Sequence, residues 1–164
     1  IESFINRFLW FFLMMVYHGT SVENAISIAG HMEIRSPLEQ ERFFYQDRTN
    51  QEDIKMVLDR LTRSYGKQRA MSVYFTSDLD SAVGYAKKSG DEGVVFGIEL
   101  DGQILRKTPK SIIPLIGSNR NIVIPIPKKV KLREPTVYIP RETIQRKHEL
   151  ERAFSKRVNY KILD

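Results

Sequence analysis

The sequence contains no cysteine, and this absence excludes several classes of site at once. A disulfide scaffold, a cysteine nucleophile, a zinc ribbon and an iron–sulfur centre all require cysteine thiols. Histidine is also scarce, since His18, His31 and His148 are widely spaced and form no HExxH pattern. We therefore expect no dedicated metal site. No fixed period recurs along the chain, which excludes a repeat array.

The chain has 164 residues, of which 41% are hydrophobic and 28% are charged. These are ordinary values for a soluble globular domain, and the length predicts one domain with its own hydrophobic core. The seven prolines and nine glycines are scattered, so no linker between domains is indicated. We expect one folded domain over residues 15–164, preceded by a short apolar segment, residues 1–14.

Nine consecutive apolar residues run from Phe8 to Val16. A membrane-spanning helix needs about 20, and the stretch lacks the basic start and small-residue cleavage site of a signal peptide. We therefore predict no membrane span. Three interpretations stay open: a buried helix that leads into the first strand, a segment that binds a partner protein such as an antitoxin or chaperone, and a segment that lies on a membrane surface.

Positive charge is concentrated in the last third of the chain. Residues 1–100 carry 11 Lys or Arg against 14 Asp or Glu, whereas residues 101–164 carry 15 against 6. A basic region of this kind can bind a polyanion such as nucleic acid, a dinucleotide or an acidic protein. A basic face that is simply solvated is equally compatible with the count.

The pattern of apolar residues predicts an α+β domain with a mostly antiparallel sheet. Helices are expected mostly in the N-terminal half, and short strands outnumber them later in the chain. The predicted helices cover residues 21–29, 53–65, 78–88 and 142–154. The predicted strands cover residues 15–17, 72–76, 93–100, 122–127, 135–140 and 158–163. Residues 36–50 are predicted to be a loop, and residues 104–106 a strand that pairs back after a turn.

Three stretches carry residue types suited to holding a nucleotide. The first, YHGT at residues 17–20, joins a strand to a helix, where glycine permits close approach, the helix offers free N–H groups and histidine can bond a ribose hydroxyl. In the second, Tyr74 ends a strand and Tyr85 follows in the next helix, so two tyrosines can enclose a flat ring. The third is Glu134, whose carboxylate beside a late strand can stabilise an oxocarbenium-like transition state.

In this order and spacing the three stretches resemble the ADP-ribosyltransferase superfamily, in particular its poly(ADP-ribose) polymerase-like or diphtheria-toxin-like branch with a His–Tyr–Glu signature. The resemblance begins at YHGTSVENAISIAG, is closest at VYFTSDLDSAVGYAKKSG and VVFGIELDG, and returns at EPTVYIP. It implies a split antiparallel sheet with flanking helices, NAD as the co-substrate, release of nicotinamide and no metal. A cytoplasmic location, in the producing cell or in a host, is the corresponding expectation.

The resemblance also implies roles for individual residues. His18 would bond the adenosine ribose of NAD, the Gly19 backbone would hold the nicotinamide carboxamide, and Tyr85 would stack on the nicotinamide ring. The residues that it assigns to NAD binding are His18, Gly19, Thr20, Tyr74, Phe75 and Tyr85. It counts His18, Tyr74 and Glu134 as catalytic, and the segment between Gly30 and Ser72 would cover the adenosine side.

The catalytic carboxylate departs from the family pattern, in which a glutamate opens a strand of the type E-V-L-x-P. Matching VYIP to that strand puts Thr136 in the glutamate position. Glu134 lies two residues earlier and therefore on the same strand face, so that a register shift or a bulge would bring it into place. We take Glu134 as the first candidate, with Glu142 and Glu99 as the others. A protein without a catalytic carboxylate is the remaining alternative.

The function implied is a mono-ADP-ribosyltransferase that moves ADP-ribose from NAD to a macromolecular acceptor, as a bacterial or phage-related toxin, effector or defence enzyme would. The run formed by Lys128, Lys129, Lys131 and Arg133 is expected to dock the acceptor, and it slightly favours RNA or DNA over protein. Two alternatives stay open. One is an NAD- or ADP-ribose-binding module without catalysis; the other is an RNA 2′-phosphotransferase, which would need a second histidine where this chain has Tyr74.

Overall fold

A computed structural model describes residues 14–44, 51–88, 92–118 and 120–164. The apolar segment predicted at residues 1–14 lies outside the described residues, apart from Met14. The strands are β1 (Met15–Ser21), β2 (Glu33–Arg35), β3 (Ser72–Thr76), β4 (Gly93–Glu99), β5 (Val123–Pro127), β6 (Lys129–Lys131), β7 (Thr136–Pro140) and β8 (Asn159–Leu163). The α-helices are α1 (Val22–Ala29), α2 (Pro37–Phe44), α3 (Gln51–Tyr65), α4 (Lys67–Met71), α5 (Leu79–Lys88), α6 (Gly102–Lys107) and α7 (Lys147–Phe154). Two 3-10 helices cover Ile113–Leu115 and Arg141–Arg146.

Six strands form one mixed sheet in the order β5-β3-β1-β4-β7-β8, and β2 and β6 form a separate two-stranded ribbon. Neighbours in the large sheet are antiparallel, except that β7 and β8 run parallel. The α+β prediction, with its mostly antiparallel sheet, is therefore confirmed. β1 and β4 pair along seven positions, whereas β1 and β3 pair only at Tyr17 and Thr76. The large sheet consequently opens between β1 and β3.

The main core lies on one face of the large sheet. Alternate residues of β4, including Val94 and Phe96, point to this face and pack against α1 and α7. The Phe96 and Phe154 rings meet edge to face with centroids 5.7 Å apart. Both side chains are fully buried, and burial of each contributes about 2–3 kcal/mol to folding.

Helix α5 covers the opposite face of the sheet at unusually short range. Ala82 and Ala86 are fully buried there beside Val95 and Tyr138. A Cβ built on Gly19 would lie only 2.1 Å from the carbonyl oxygen of Ala82. The small side chains of α5 and the missing side chain of Gly19 therefore allow the helix backbone to lie directly against β1.

Two predicted elements are wrong, and in both cases a helix cap explains the difference. Residues 36–50 were expected to be a loop, of which residues 45–50 lie outside the described part of the chain. Residues 37–44 instead form α2, which Ser36 caps by accepting a hydrogen bond at 3.3 Å from the backbone N–H of Glu39. Pro37 fits the first helical position because its fixed φ suits a helix. Residues 104–106 were expected to be a strand, but the Asp101 carboxylate accepts hydrogen bonds from two backbone N–H groups and starts α6.

The ribbon of β2 and β6 has no counterpart in the sequence predictions, because three residues are too few to show an alternating pattern. Ile34 and Val130 are opposite one another in this ribbon and are buried in the main core. The residues on either side of them, which include Glu33 and Arg35, therefore point away from the core. Within the described ranges, no helix is long and apolar enough to cross a membrane.

Candidate functional site

A cavity of about 870 Å³ lies where β1 and β3 separate. Residues 17–20 of β1 and residues 72–74 of β3 line it. Helix α1, strand β2 and the start of α2 contribute to its wall, and so do α5 and the first residue of β5. The volume falls within the range of cavities that enclose small molecules and cofactors, about 300–1,000 Å³.

Five of the six residues assigned to NAD binding by the resemblance line this cavity: His18, Gly19, Thr20, Tyr74 and Tyr85. His18 and Tyr74 are 56 residues apart in the chain, so the fold alone brings them together. The sixth residue, Phe75, is not on the cavity wall. Its side chain is 0% exposed in the main core, because neighbouring residues of a strand point to opposite faces. The Phe75 ring lies beside the His18 ring, with centroids 5.6 Å apart.

The hydrogen bond of the His18 ring defines what this histidine offers to a ligand. Nδ1 lies 2.8 Å from the backbone carbonyl oxygen of Tyr74. A carbonyl only accepts, so Nδ1 carries the proton and Nε2 of the neutral ring is an acceptor. Burial lowers the pKa of His18, and the bond to the Tyr74 carbonyl only partly offsets this effect. The neutral ring can therefore accept a hydrogen bond from a hydroxyl group in the cavity.

Each of the two predicted tyrosines has a cation over its ring. The guanidinium carbon of Arg69 lies 5.9 Å from the centroid of Tyr74, and Lys88 Nζ lies 5.5 Å from that of Tyr85. Burial raises the pKa of Tyr74, and the charge of Arg69 opposes this shift. Tyr85 is 40% exposed, so its ring is accessible from the solvent side. The raised pKa keeps the Tyr74 phenol neutral at physiological pH. The rings of both tyrosines are flat surfaces of the kind that stack on a heteroaromatic ring.

The charge on the cavity wall is predominantly positive. Arg35, Arg69 and Lys88 line the cavity, and Glu33 is the one carboxylate on the wall among the described residues. Burial acts to raise the pKa of Glu33, but its contacts with Lys129 and Arg35 outweigh burial and hold the pKa below its ordinary value. Glu33 is therefore ionised and already paired. The remaining positive charge favours an anionic ligand.

Sequence reasoning missed the residues that α1, β2 and α4 bring to the cavity. These are Asn24, His31, Glu33, Arg35 and Arg69. Asn24 lies in a predicted helix and His31 follows it, but nothing in the pattern indicates which helix face meets a ligand. Glu33 lies in the short strand β2. Arg35 lies in a strand that periodicity cannot detect, and Arg69 lies in the five-residue helix α4.

None of the three candidate carboxylates lies on the cavity wall. Glu134 is exposed, with φ 44°, in the loop before β7, and β4 separates that strand from β1. Glu142 forms an exposed ion pair with Lys87, and Glu99 is exposed at the end of β4. The strand that borders the cavity beside β3 is β5, whose first residue is Val123. The VYIP segment that was matched to the catalytic strand belongs to β7, which contributes no residue to the cavity wall.

The predicted acceptor-binding run also lies beside the cavity instead of within it. Lys128, Lys129, Lys131 and Arg133 are all exposed. Lys129 Nζ lies 3.3 Å from Glu33 Oε1, so the run borders the wall formed by β2. The run precedes β7 in the chain, and its residues Lys129 and Lys131 lie in β6, which pairs with β2.

Together these groups offer a ligand two aromatic rings, a hydrogen-bond acceptor at His18 and an excess of cations. Within the part of the chain that the structure describes, no three His, Asp or Glu side chains come close enough to hold a metal ion. Comparison with known proteins gives no match to a family model, to a curated protein or to a solved structure.

Proposed function

We propose that the cavity binds NAD and that the protein is a mono-ADP-ribosyltransferase. The observation that carries this proposal is the convergence of His18, Gly19, Thr20, Tyr74 and Tyr85 on one cavity. These are five of the six residues to which the sequence resemblance assigns NAD binding. The same cavity is large enough for a cofactor and carries positive charge, which a diphosphate requires.

Each part of NAD has a chemically suitable group on the wall. Tyr74 and Tyr85 offer aromatic faces to the nicotinamide ring. Nε2 of His18 accepts a hydrogen bond from a ribose hydroxyl. The excess of cations over carboxylates stabilises the two negative charges of the diphosphate.

The transfer itself needs little acid catalysis. The bond between the ribose and nicotinamide breaks, its electron pair goes to the cationic nicotinamide ring, and positive charge builds on the ribose. A nucleophilic oxygen or nitrogen of the acceptor then bonds to the anomeric carbon and releases its proton to solvent. In this cavity the contribution of the protein is chiefly to fix the ring and the ribose in a reactive geometry.

We further propose that the acceptor is a nucleic acid. The basic run at β6 lies beside the cavity through the contact of Lys129 with Glu33. Lys and Arg contacts with phosphates supply affinity that does not depend on sequence. RNA and DNA are therefore the first acceptors to test, with protein as the comparison.

A second candidate function is an NAD- or ADP-ribose-binding module without catalysis. The position of Glu134 favours it, because this carboxylate lies outside the cavity. Such a module binds the nucleotide and releases no nicotinamide.

One experiment separates the two functions. NAD binding is measured by calorimetry, and nicotinamide release and acceptor mass are followed with RNA, single-stranded DNA, duplex DNA and protein lysate as separate acceptors. His18→Gln is compared with the matched variant His148→Gln, which changes an exposed histidine of α7. We expect His18→Gln to weaken NAD binding and His148→Gln to leave it unchanged.

The outcomes are distinct. A gain of one ADP-ribose mass on one acceptor class supports the transferase and identifies its target. Saturable binding of NAD without nicotinamide release supports the binding module. Release of 2′-phosphate from RNA identifies a phosphotransferase, and the absence of any NAD binding overturns the proposal.

A further inference from the structure

The wall formed by β2 contains a fixed arrangement around Arg35. The guanidinium carbon of Arg35 lies 3.7 Å from the centroid of the Phe43 ring. Arg35 also donates a hydrogen bond to Glu33 Oε2 at 3.2 Å, and the side chains of Arg35 and Glu33 are only 11% and 12% exposed. The ring of His31 meets Phe43 edge to face, with centroids 4.6 Å apart. A planar cation is thus held on one face by an aromatic ring and at its edge by a carboxylate.

The orientation of this arrangement follows from which members line the cavity. His31, Glu33 and Arg35 lie on the cavity wall, whereas Phe43 does not. Phe43 lies over one planar face of the guanidinium, and Arg35 itself contributes to the cavity wall, so the second planar face is the one that a ligand in the cavity would meet.

A guanidinium held in this way is a platform for a flat heteroaromatic ring. Arginine stacks well on aromatic faces because its charge is delocalised over a plane and is weakly hydrated. Nucleobases use guanidinium planes for stacking in many nucleic-acid complexes. Since Arg35 is already fixed by Phe43 and Glu33, binding costs little side-chain entropy.

Glu33 gives the platform a chemical preference. An ionised carboxylate only accepts hydrogen bonds and has about four lone-pair positions. Arg35 uses one of them at Oε2, and Lys129 uses one at Oε1. The remaining positions can accept from an amino group of a bound base. A carbonyl oxygen in the same place would present its own lone pairs to the carboxylate and be repelled.

We propose that Arg35 and Glu33 form an adenine subsite, in which the base stacks on the guanidinium and its 6-amino group donates to the Glu33 carboxylate. This inference rests on the proposed binding of NAD and specifies how the cavity selects the base. Arg35 supplies the stacking affinity, and Glu33 supplies the discrimination between a 6-amino and a 6-oxo purine.

The test compares NAD with nicotinamide hypoxanthine dinucleotide, which differs from NAD by a 6-oxo group in place of the 6-amino group. Calorimetric titration of the wild type is expected to show at least about tenfold weaker binding of the hypoxanthine analogue, since a hydrogen bond to a charged group is replaced by a repulsion. Nicotinamide guanine dinucleotide is titrated in parallel, because guanine also carries a 6-oxo group but offers other N–H donors.

Three variants separate the two roles. Glu33→Gln is expected to bring the affinity ratio of the two ligands close to one, because an amide both accepts and donates. Glu39→Gln is the matched control on α2, where Glu39 pairs with Arg42 away from the cavity wall, and it should keep the wild-type ratio. Arg35→Lys keeps the charge without the plane, so it should weaken both ligands and leave their ratio unchanged. Thermal unfolding of each variant confirms that it is folded.

The outcomes distinguish the subsite from the function on which it rests. Equal affinity of the wild type for NAD and its hypoxanthine analogue, or a preference for the guanine analogue, overturns the adenine subsite while NAD binding stands. A wild-type ratio in Glu33→Gln overturns the role of Glu33. Failure of all three dinucleotides to bind overturns the proposed function itself.

Discussion

Replacing Gly19 by alanine should force α5 away from β1. The added Cβ would lie 2.1 Å from the carbonyl oxygen of Ala82 and 2.8 Å from the amide nitrogen of Ala86. Both obstructing atoms belong to the helix backbone, so no side-chain rotation relieves the clash. Ordinary van der Waals contact begins at 3.4 Å, and the helix must therefore retreat by more than about 1 Å.

The cost can be estimated from other cases of overpacking. Inserting a methyl group into a well-packed region costs about 1–3 kcal/mol, and we expect about 3 kcal/mol here because backbone must move. For a domain of this size, that loss lowers Tm by about 6–12 °C. Gly84→Ala is the matched control in the same helix, since nothing lies within 4 Å of its added Cβ. It should raise stability by about 0.5–1 kcal/mol, because alanine loses less backbone entropy than glycine in a helix.

The clash also reaches the cavity, because Tyr85 and Lys88 lie on α5. Gly19→Ala should therefore weaken NAD binding as well as stability, whereas Gly84→Ala should leave affinity unchanged. Scanning calorimetry and isothermal titration measure the two effects. A Tm for Gly19→Ala within about 2 °C of the wild type would refute the close packing of α5 on β1.

Two further variants test local features of the fold. Folding lowers the pKa of His18, so the unfolded chain takes up this proton first as the pH falls. The wild type should therefore lose stability below about pH 6.5, with a slope set by the difference in bound protons between the unfolded and folded states. Urea unfolding at pH 7.5 and 5.5 should show a smaller loss in His18→Gln than in the wild type or His148→Gln, and an equal loss would contradict the assignment. Ser36→Ala removes the cap of α2 and should cost about 1 kcal/mol in thermal unfolding, so a change below about 0.3 kcal/mol would argue against the cap.

Long periodic segments were the part of the fold that the sequence predicted well. The helix predicted at residues 78–88 and the strand predicted at residues 93–100 are present with almost the same bounds. Their apolar residues repeat over enough positions to define a buried face. The short elements β2, β6 and α4 could not be predicted, since tertiary packing and not periodicity determines them.

The sequence contains the residues that cap two of the short helices. Ser36 followed by Pro37 and Glu39 is a typical helix start, and it indicates α2 where a loop was expected. Asp101 followed by Gly102 is compatible with a turn as well as a helix start, and in the fold Asp101 caps α6. Local signals of this kind outweigh the polar composition of such segments.

In the candidate site, too, local motifs identify some residues, whereas tertiary packing determines the others. His18 and Tyr74 lie in clear motifs, so the sequence identified them as candidates, and both line the cavity. Arg35 could not be identified in this way, because the stack on Phe43 depends on how α2 packs against β2. Glu134 was a candidate because it precedes a strand with a matching sequence pattern. Such a pattern does not predict the order of strands in the sheet, and β4 separates β7 from β1.

Strands β1 and β3 are paired at one position only, Tyr17 with Thr76, and this short pairing has a mechanical consequence. This short pairing is where β3 and β5 join the other four strands of the large sheet. The hydrogen bond from His18 Nδ1 to the Tyr74 carbonyl oxygen adds a further link between β1 and β3. A ligand in the cavity would contact residues of both β1 and β3 and would add a link between them to the core that they already share. Ligand binding in the cavity would then make the unfolding of the large sheet more cooperative, including strands that do not contact the ligand.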